Sequence, residues 1–254
     1  MSEAAIRVAG LTKEYPGGIR ALEGVRFEAP RGEITTLIGP SGCGKTTILK
    51  VVAGLIEATA GEVFVEGRPV RGPGPDRAFV FQDFALLPWA TVLRNVAFGL
   101  ELRRVPKARR EAAAREQIAK MNLTGFEEAY PHQLSGGMRQ RVGLARALAV
   151  DADILLMDEP FASVDEQIRR KFQEDLLRLL SEARKTVLFV THSIEEAVYV
   201  SDQVVILTRG PARVSKVVRP GVDRRGGSEE IRRDPAYLDS VESIWGELRG
   251  YLET

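Results

Sequence analysis

An apolar run, Ile34 to Ile38, opens into Gly39-Pro40-Ser41-Gly42-Cys43-Gly44-Lys45-Thr46, after which helical spacing takes over. Thr47 to Leu55 carries Ile48, Leu49, Val52 and Ala53 on one side and stops near Gly54. The loop matches G-x-x-x-x-G-K-[ST] in the setting that the pattern requires. Its glycines let backbone N–H groups turn inward around phosphates, and the helix aims its positive end at them. Lys45 is placed to reach β- and γ-phosphates, and the Thr46 hydroxyl to bind Mg²⁺. Cys43 reads as a small residue in a variable slot. Because a helix N-terminus can lower a thiol pKa, alkylation of Cys43 is expected to compete with nucleotide.

The rest of the chain supplies a sheet for this loop. Ile6–Leu11, the Leu22, Val25 and Phe27 segment, Val63–Val65 and Ala78–Phe81 read as strands. From about Val92 to Ala149 the spacing is helical with charge-rich faces, Lys107–Lys120 among them. Strands at Ile154–Met157, Thr186–Val190 and Val204–Leu207 then alternate with helices at Gln167–Ala183 and Ser193–Val200. Such alternation predicts a largely parallel sheet with helices on its faces, here interrupted by a helical insertion. Arg219–Gly227 reads as a loop before a last amphipathic helix, Leu238–Leu252.

Composition narrows the function classes. With 44% hydrophobic residues among 254, a sizeable core can form, and 36 basic against 35 acidic residues give no reason to expect a nucleic-acid partner. One cysteine excludes an intrachain disulfide and fits a reducing compartment. The first residues lack the basic start and long apolar stretch of a secretory signal, and no run approaches the roughly 18–20 apolar residues of a membrane span. Work at a membrane is therefore expected to need a partner.

Two further runs carry chemistry. Ile154-Leu155-Leu156-Met157-Asp158-Glu159-Pro160 is an apolar strand ending in two acids. Alone it also reads as a solvated strand end. Beside a phosphate loop, Asp158 is placed to hold the metal and Glu159 to activate water as general base. Leu134-Ser135-Gly136-Gly137-Met138-Arg139-Gln140-Arg141 precedes a helical stretch and makes a second anion-ready helix start. Alone it reads as an ordinary serine-capped helix; a second cradle makes sense if it faces a nucleotide on a neighbouring subunit.

On these motifs, nearly all of the first 215 residues resemble the ABC ATPase family. The run from Leu134 resembles its signature, Gly39–Thr47 its Walker A and Ile154–Glu159 its Walker B. The resemblance implies an α/β, RecA-like P-loop NTPase with a mostly parallel sheet core, an N-terminal antiparallel β subdomain and an inserted α-helical subdomain. Residues 1–218 are expected to form the ATPase domain, with the insertion at about 92–149 and a C-terminal loop and helix at 219–254.

The resemblance also assigns roles. Gly39, Pro40, Ser41, Gly42, Cys43, Gly44, Lys45, Thr46 and Thr47 would bind ATP, and Tyr15 would stack on adenine. Gln82 matches the Q-loop glutamine, a metal and water contact beside Thr46 and Asp158. His192 matches the switch histidine, joining Glu159, Lys45 and Gln82 in catalysis. Ser135, Gly136 and Gly137 would touch ATP held by a second subunit. So would Asp165, whose Ser163-Val164-Asp165 setting departs from the commoner S-A-L-D.

The implied cofactors are ATP and Mg²⁺. The implied partners are a twin or paired ABC subunit, transmembrane permease subunits and, indirectly, a substrate-binding protein, at the cytoplasmic face of the cell membrane. Phe79 to Trp89, Phe161 to Gln167 and a Trp245-containing tail resemble the nitrate, sulfonate and taurine importers, so import is expected, with export as the alternative. A soluble, non-transport ATPase is disfavoured: no sustained heptads separate phosphate loop and signature, and there is one phosphate loop.

Overall fold

The computed structural model describes residues 4–162, 166–224 and 226–252. The chain divides at Gly74/Pro75 and again at Arg169/Arg170 into two compact units. In the first unit, β1 (Ala4–Tyr15), β2 (Ile19–Pro30), β4 (Ala60–Val65) and β5 (Arg68–Pro69) form an antiparallel sheet in the order β2-β1-β4-β5. The loose alternation of β1 has a physical cause. Gly10, at φ 69°, sits in a register shift between the Ala9/Arg26 and Leu11/Val25 pairs, so Val8 and Leu11 are both buried although three positions apart.

The same unit holds the strand that carries the glycine-rich loop. β3 (Ile34–Ile38) lies between β8 (Thr186–Val190) and β9 (Gln203–Leu207), parallel to both, and β10 (Val214–Val218) runs antiparallel along β9. Every residue of β3, β8 and β9 is buried, which is why these strands do not alternate: they are apolar but for Thr35 and Thr36 inside β3 and the leading Thr186 and Gln203 of β8 and β9. β10 is partly exposed along its length without alternating, an edge strand that carries no period-2 signal in the sequence.

Helix α1 (Lys45–Ala53) starts two residues before the sequence-based expectation, because Gly44 and not Thr46 is its N-cap. It ends at Gly54, which adopts φ 75° and donates its backbone N–H back to the Val51 carbonyl. Helix α6 (Ile194–Val200) is capped by Ser193, whose hydroxyl accepts from the Glu196 amide at 3.2 Å. After β10, Arg224 donates to the Tyr199 carbonyl at 2.9 Å and the Asp202 carboxylate at 2.7 Å. Short α7 (Ser228–Ile231) and α8 (Pro235–Leu252) follow. α8 begins three residues earlier than its apolar spacing suggested, with proline in its first turn and the Asp234 carboxylate accepting from the Ala236 amide at 2.8 Å. Its buried side is Tyr237, Ile244 and Leu248.

The second unit contains the parallel pair β6 (Arg77–Val80) and β7 (Ile154–Asp158) with helices α2 (Val92–Leu102), α3 (Lys107–Lys120) and α4 (Gly136–Ala149). Thr91 caps α2. Asn95, fully buried, accepts from the Leu87 amide and donates to the Leu87, Ala90 and Thr91 carbonyls, pinning the segment that leads into the helix. Helix α5 (Glu166–Ala183) follows β7, and its part from Arg170 onward, which belongs to the first unit, buries Phe172, Leu176 and Leu180 as one stripe. Among the described residues, no helix is long and apolar enough to cross a membrane.

Gly54 is where the first unit tolerates least change. A Cβ there would lie 2.1 Å from the Gly72 carbonyl oxygen, whereas one at Gly67, also left-handed at φ 69°, meets nothing within 4 Å. Gly54→Ala is expected to lower unfolding stability by about 2–4 kcal/mol, against about 1 kcal/mol for Gly67→Ala, where only the left-handed backbone is penalised. Urea unfolding midpoints of the two variants check this; equal shifts would show that the contact with Gly72 yields.

Candidate functional site

The glycine-rich loop is shaped by two close approaches. A Cβ on Gly39 would stand 2.9 Å from the Leu207 carbonyl oxygen, and one on Gly44, at φ 111°, would stand 2.7 Å from a Leu22 methyl. Both positions therefore need glycine. The loop delivers the chain into α1 with no side chain capping the helix, so its first amides are not claimed by a capping side chain and can meet an anion. Lys45 is 6% exposed and folds back over the loop, donating to the Gly39 carbonyl at 2.8 Å and the Pro40 carbonyl at 3.0 Å. Ser41 and Gly42 are exposed at the tip, and Thr46 is half-buried at the first helical turn.

Cys43 corrects one expectation. The thiol is 1% exposed, and burial pushes its pKa up although Lys45 opposes the shift. Desolvation outweighs the helix terminus, so the residue is a small, protonated filler and not a reactive thiolate. Its sulfur is 3.0 Å from where a Gly39 Cβ would stand, which is the space it fills.

Tyr15 ends β1 just before the Pro16-Gly17-Gly18 turn. Its hydroxyl lies 3.2 Å from that of Thr47, and Lys13 sits 5.4 Å from its ring centroid. The partly exposed ring is therefore held beside the start of α1. His192, also in this unit, is exposed immediately after β8.

The setting of His192 includes a residue that the sequence reading did not single out. Glu196, buried one turn into α6, accepts from the Thr191 hydroxyl at 2.6 Å, and that hydroxyl accepts from the Ser193 amide at 3.0 Å. The chain on both sides of His192 is thereby tied to one buried carboxylate. Ser193-Ile194-Glu195-Glu196 has the serine-x-x-acid spacing of a capping box, which was the available signal.

The second unit carries the other candidates. Asp158 ends β7 at 4% exposure. Glu159, the next residue, has φ 46°. Left-handed backbone at a non-glycine residue is strained, and such strain collects where a side chain must be aimed. Gln82, exposed just past β6, donates its amide N–H to the Glu159 carboxylate at 3.4 Å. Two of the predicted residues, 77 positions apart, thus meet. Trp89, seven residues on, is 70% exposed, while Leu86 and Leu87 are half-buried.

At the signature, Ser135 caps α4, its hydroxyl accepting from the Met138 amide at 3.3 Å. Gly136 and Gly137 form the first positions of the helix, and a Cβ on Gly137 would meet nothing within 4 Å. The open face at Gly137 is space and not a packing need. Asp165 lies outside the described residues.

Residues 22–162 match the ABC transporter family. The chain is 50% identical over 222 residues to an uncharacterised ABC transporter ATP-binding protein of Methanocaldococcus jannaschii, covering 86% of this chain and 83% of that one. It is 43% identical over 250 residues to a taurine import ATP-binding protein of Chromobacterium violaceum, covering 96% of each. Among solved structures, a dimeric bacterial ABC transporter cassette superimposes with a TM-score of 0.77 at 33% identity, over 84% of this chain and 98% of that one. A dimeric cassette in a post-hydrolysis state with ADP and phosphate gives the same TM-score at 32% identity and the same coverage. With an uncapped, lysine-guarded loop in one unit and a strained glutamate beside a glutamine in the other, the chain belongs to the ABC transporter family as an ATP-binding ATPase subunit.

Proposed function

We propose that this ATPase pairs with a second ABC subunit, a twin or a close relative, around two ATP molecules and drives import of a small sulfonate- or nitrate-like solute through a separate permease. The observation that carries the import reading is the 43% identity to a taurine import protein along 96% of both chains, which takes in the segment after residue 218. We further take residues 1–218 as the ATPase domain, with a helical subdomain at about 92–149 and 219–254 as an extension. Its place is the cytoplasmic face of the membrane, held there by the permease. A substrate-binding protein would deliver the solute on the far side.

In this reading the loop residues 39–47 wrap the phosphates, and Lys45 exchanges its two neutral carbonyl partners for charged phosphate oxygens. Tyr15 offers its ring to adenine. Glu159 takes a proton from the attacking water while Gln82 orients it, and His192 donates toward the γ-phosphate. Ser135, Gly136 and Gly137, with Asp165, meet the ATP of the opposite subunit.

The donor chemistry fits Mg²⁺. The Thr46 hydroxyl and the Asp158 carboxylate are hard oxygen donors, and Gln82, with its N–H on Glu159, has its amide oxygen left for a metal. When bound, Mg²⁺ would neutralise charge on the β- and γ-phosphates.

Glu159→Gln is expected to bind ATP, release phosphate about 10²–10⁴-fold more slowly and accumulate as a nucleotide-bridged dimer. Phosphate release and light scattering read this out, and normal turnover would remove Glu159 from the base role. Lys45→Ala is expected to raise the Kd for ATP about 10- to 100-fold; titration calorimetry giving an unchanged Kd would overturn the loop assignment. Affinity purification from membranes tests the coupling, since recovery without an integral-membrane subunit would sink the transport reading.

A further inference from the structure

Helix α4 does more than present the signature at its N-terminus. Arg139, Gly143 and Arg146 fall at i, i+4 and i+7, on one stripe, and all three address Phe84 and Ala85. The Arg139 guanidinium carbon is 6.0 Å from the Phe84 ring centroid. At Gly143 the helix surface lies against Phe84, whose carbonyl oxygen is 3.6 Å from where a Cβ would stand. Arg146 ends the stripe with a fork, one Nη donating to the Phe84 carbonyl and the other to the Ala85 carbonyl, both at 2.7 Å.

What the fork grips is unusual backbone. Phe84 and Ala85 have φ of 63° and 42°, two consecutive left-handed residues without glycine. Side chains with a Cβ resist that conformation, so something must hold it. The Phe84 amide donates to the Phe81 carbonyl at 3.1 Å, leaving the two carbonyls turned toward α4. Arg146 is itself half-buried, and burial draws its pKa down while the charge of Asp83 draws it back up. A guanidinium drawn partly out of water and committed to two carbonyls is a costly arrangement for a plain loop. Two residues before Phe84 stands Gln82, hydrogen-bonded to Glu159.

We infer that Arg146 is a positioning residue for hydrolysis: its fork locks the Phe84–Ala85 turn to the signature helix and so fixes Gln82 against Glu159. The inference rests on the proposed roles of Glu159 and Gln82. It adds a mechanical consequence: a displacement of α4, whose N-terminus is the surface offered to the second nucleotide, is transmitted to Gln82 through one side chain. The planar fork is the essential feature, because a lysine ammonium delivers the same charge from a single point and lacks the geometry to span both carbonyls.

The test uses the full-length protein with Arg146→Lys, which keeps charge and length, and Arg146→Ala beside it. Arg146→Lys is expected to lower kcat for ATP about tenfold or more while the Kd for ATP stays within about twofold, as for loss of alignment and not of binding. Hydrogen exchange of the amides in the 82–86 segment is expected to quicken in both variants. The deciding measurement is a double-mutant cycle with Gln82→Ala: if Arg146 acts through Gln82, adding Arg146→Lys to that background changes kcat little. Unchanged kcat in Arg146→Lys would overturn the inference, and so would losses that multiply in the double variant, which would make Arg146 a general stabiliser. Wild-type protein and Glu159→Gln run in parallel keep this apart from the function itself: without a slow Glu159→Gln the hydrolytic reading fails, whatever Arg146 does.

Discussion

Everything nucleotide-related in this chain depends on backbone at residues 39 and 44 passing where no Cβ fits. At Gly39 the obstacle is the carbonyl of Leu207 on the neighbouring strand β9; at Gly44 it is the Leu22 side chain from the antiparallel sheet. The curvature of the loop is therefore imposed from outside by two different sheets. It aims the start of α1 in the direction that an anion needs. Without glycine at both points, the loop would have to open, and the amides would lose their common focus.

A second theme is the placement of strain. Phe84, Ala85 and Glu159 are left-handed without glycine, and all belong to the unit that holds Gln82 and the signature. In each case the surroundings hold the conformation: a forked arginine for the turn, and for Glu159 a tight turn in which the Ala162 amide donates to its carbonyl at 3.1 Å. Strain that is held in place gives a segment one defined conformation. The first unit uses a different device around His192, where a buried carboxylate and a threonine hydroxyl brace unstrained backbone.

Local signals carried most of the architecture. β3, β7, β8 and β9 are short, predominantly apolar runs without alternation because both faces are covered, and their positions follow from the sequence within one residue. The stop at Gly54 was equally legible; at Ser135 the sequence offered a cap only as the alternative reading, and α4 starts at Gly136, inside the run expected to precede the helix. Elements without a local signature were not. The edge strand β10 has one partner and mixed exposure, so its pattern is that of a loop. Arg146 and Ala85 are 61 residues apart, and no spacing rule links an arginine on a helix to a carbonyl elsewhere. Cys43 shows the limit from the other side. A rule about helix ends gave the direction of its pKa, and only burial, a three-dimensional quantity, reversed it.

The position of Lys45 bears on how such a loop stays closed before its substrate arrives. A buried ammonium without partners would be expensive, and here two loop carbonyls serve it. Those bonds are neutral on the acceptor side. Phosphate oxygens, carrying charge, make stronger ones, so binding replaces each weak partner with a better one without the loop having to fold first. In the proposed phosphate-binding role, the loop carbonyls are placeholders for the anion that Lys45 would hold. The same logic fits Ser135, whose hydroxyl is engaged with its own helix at Met138 and has a lone pair to spare. Under the proposed roles of Lys45 and Ser135, both are preorganised by internal hydrogen bonds that an arriving phosphate would outcompete or share, which would keep the reorganisation at the moment of binding small.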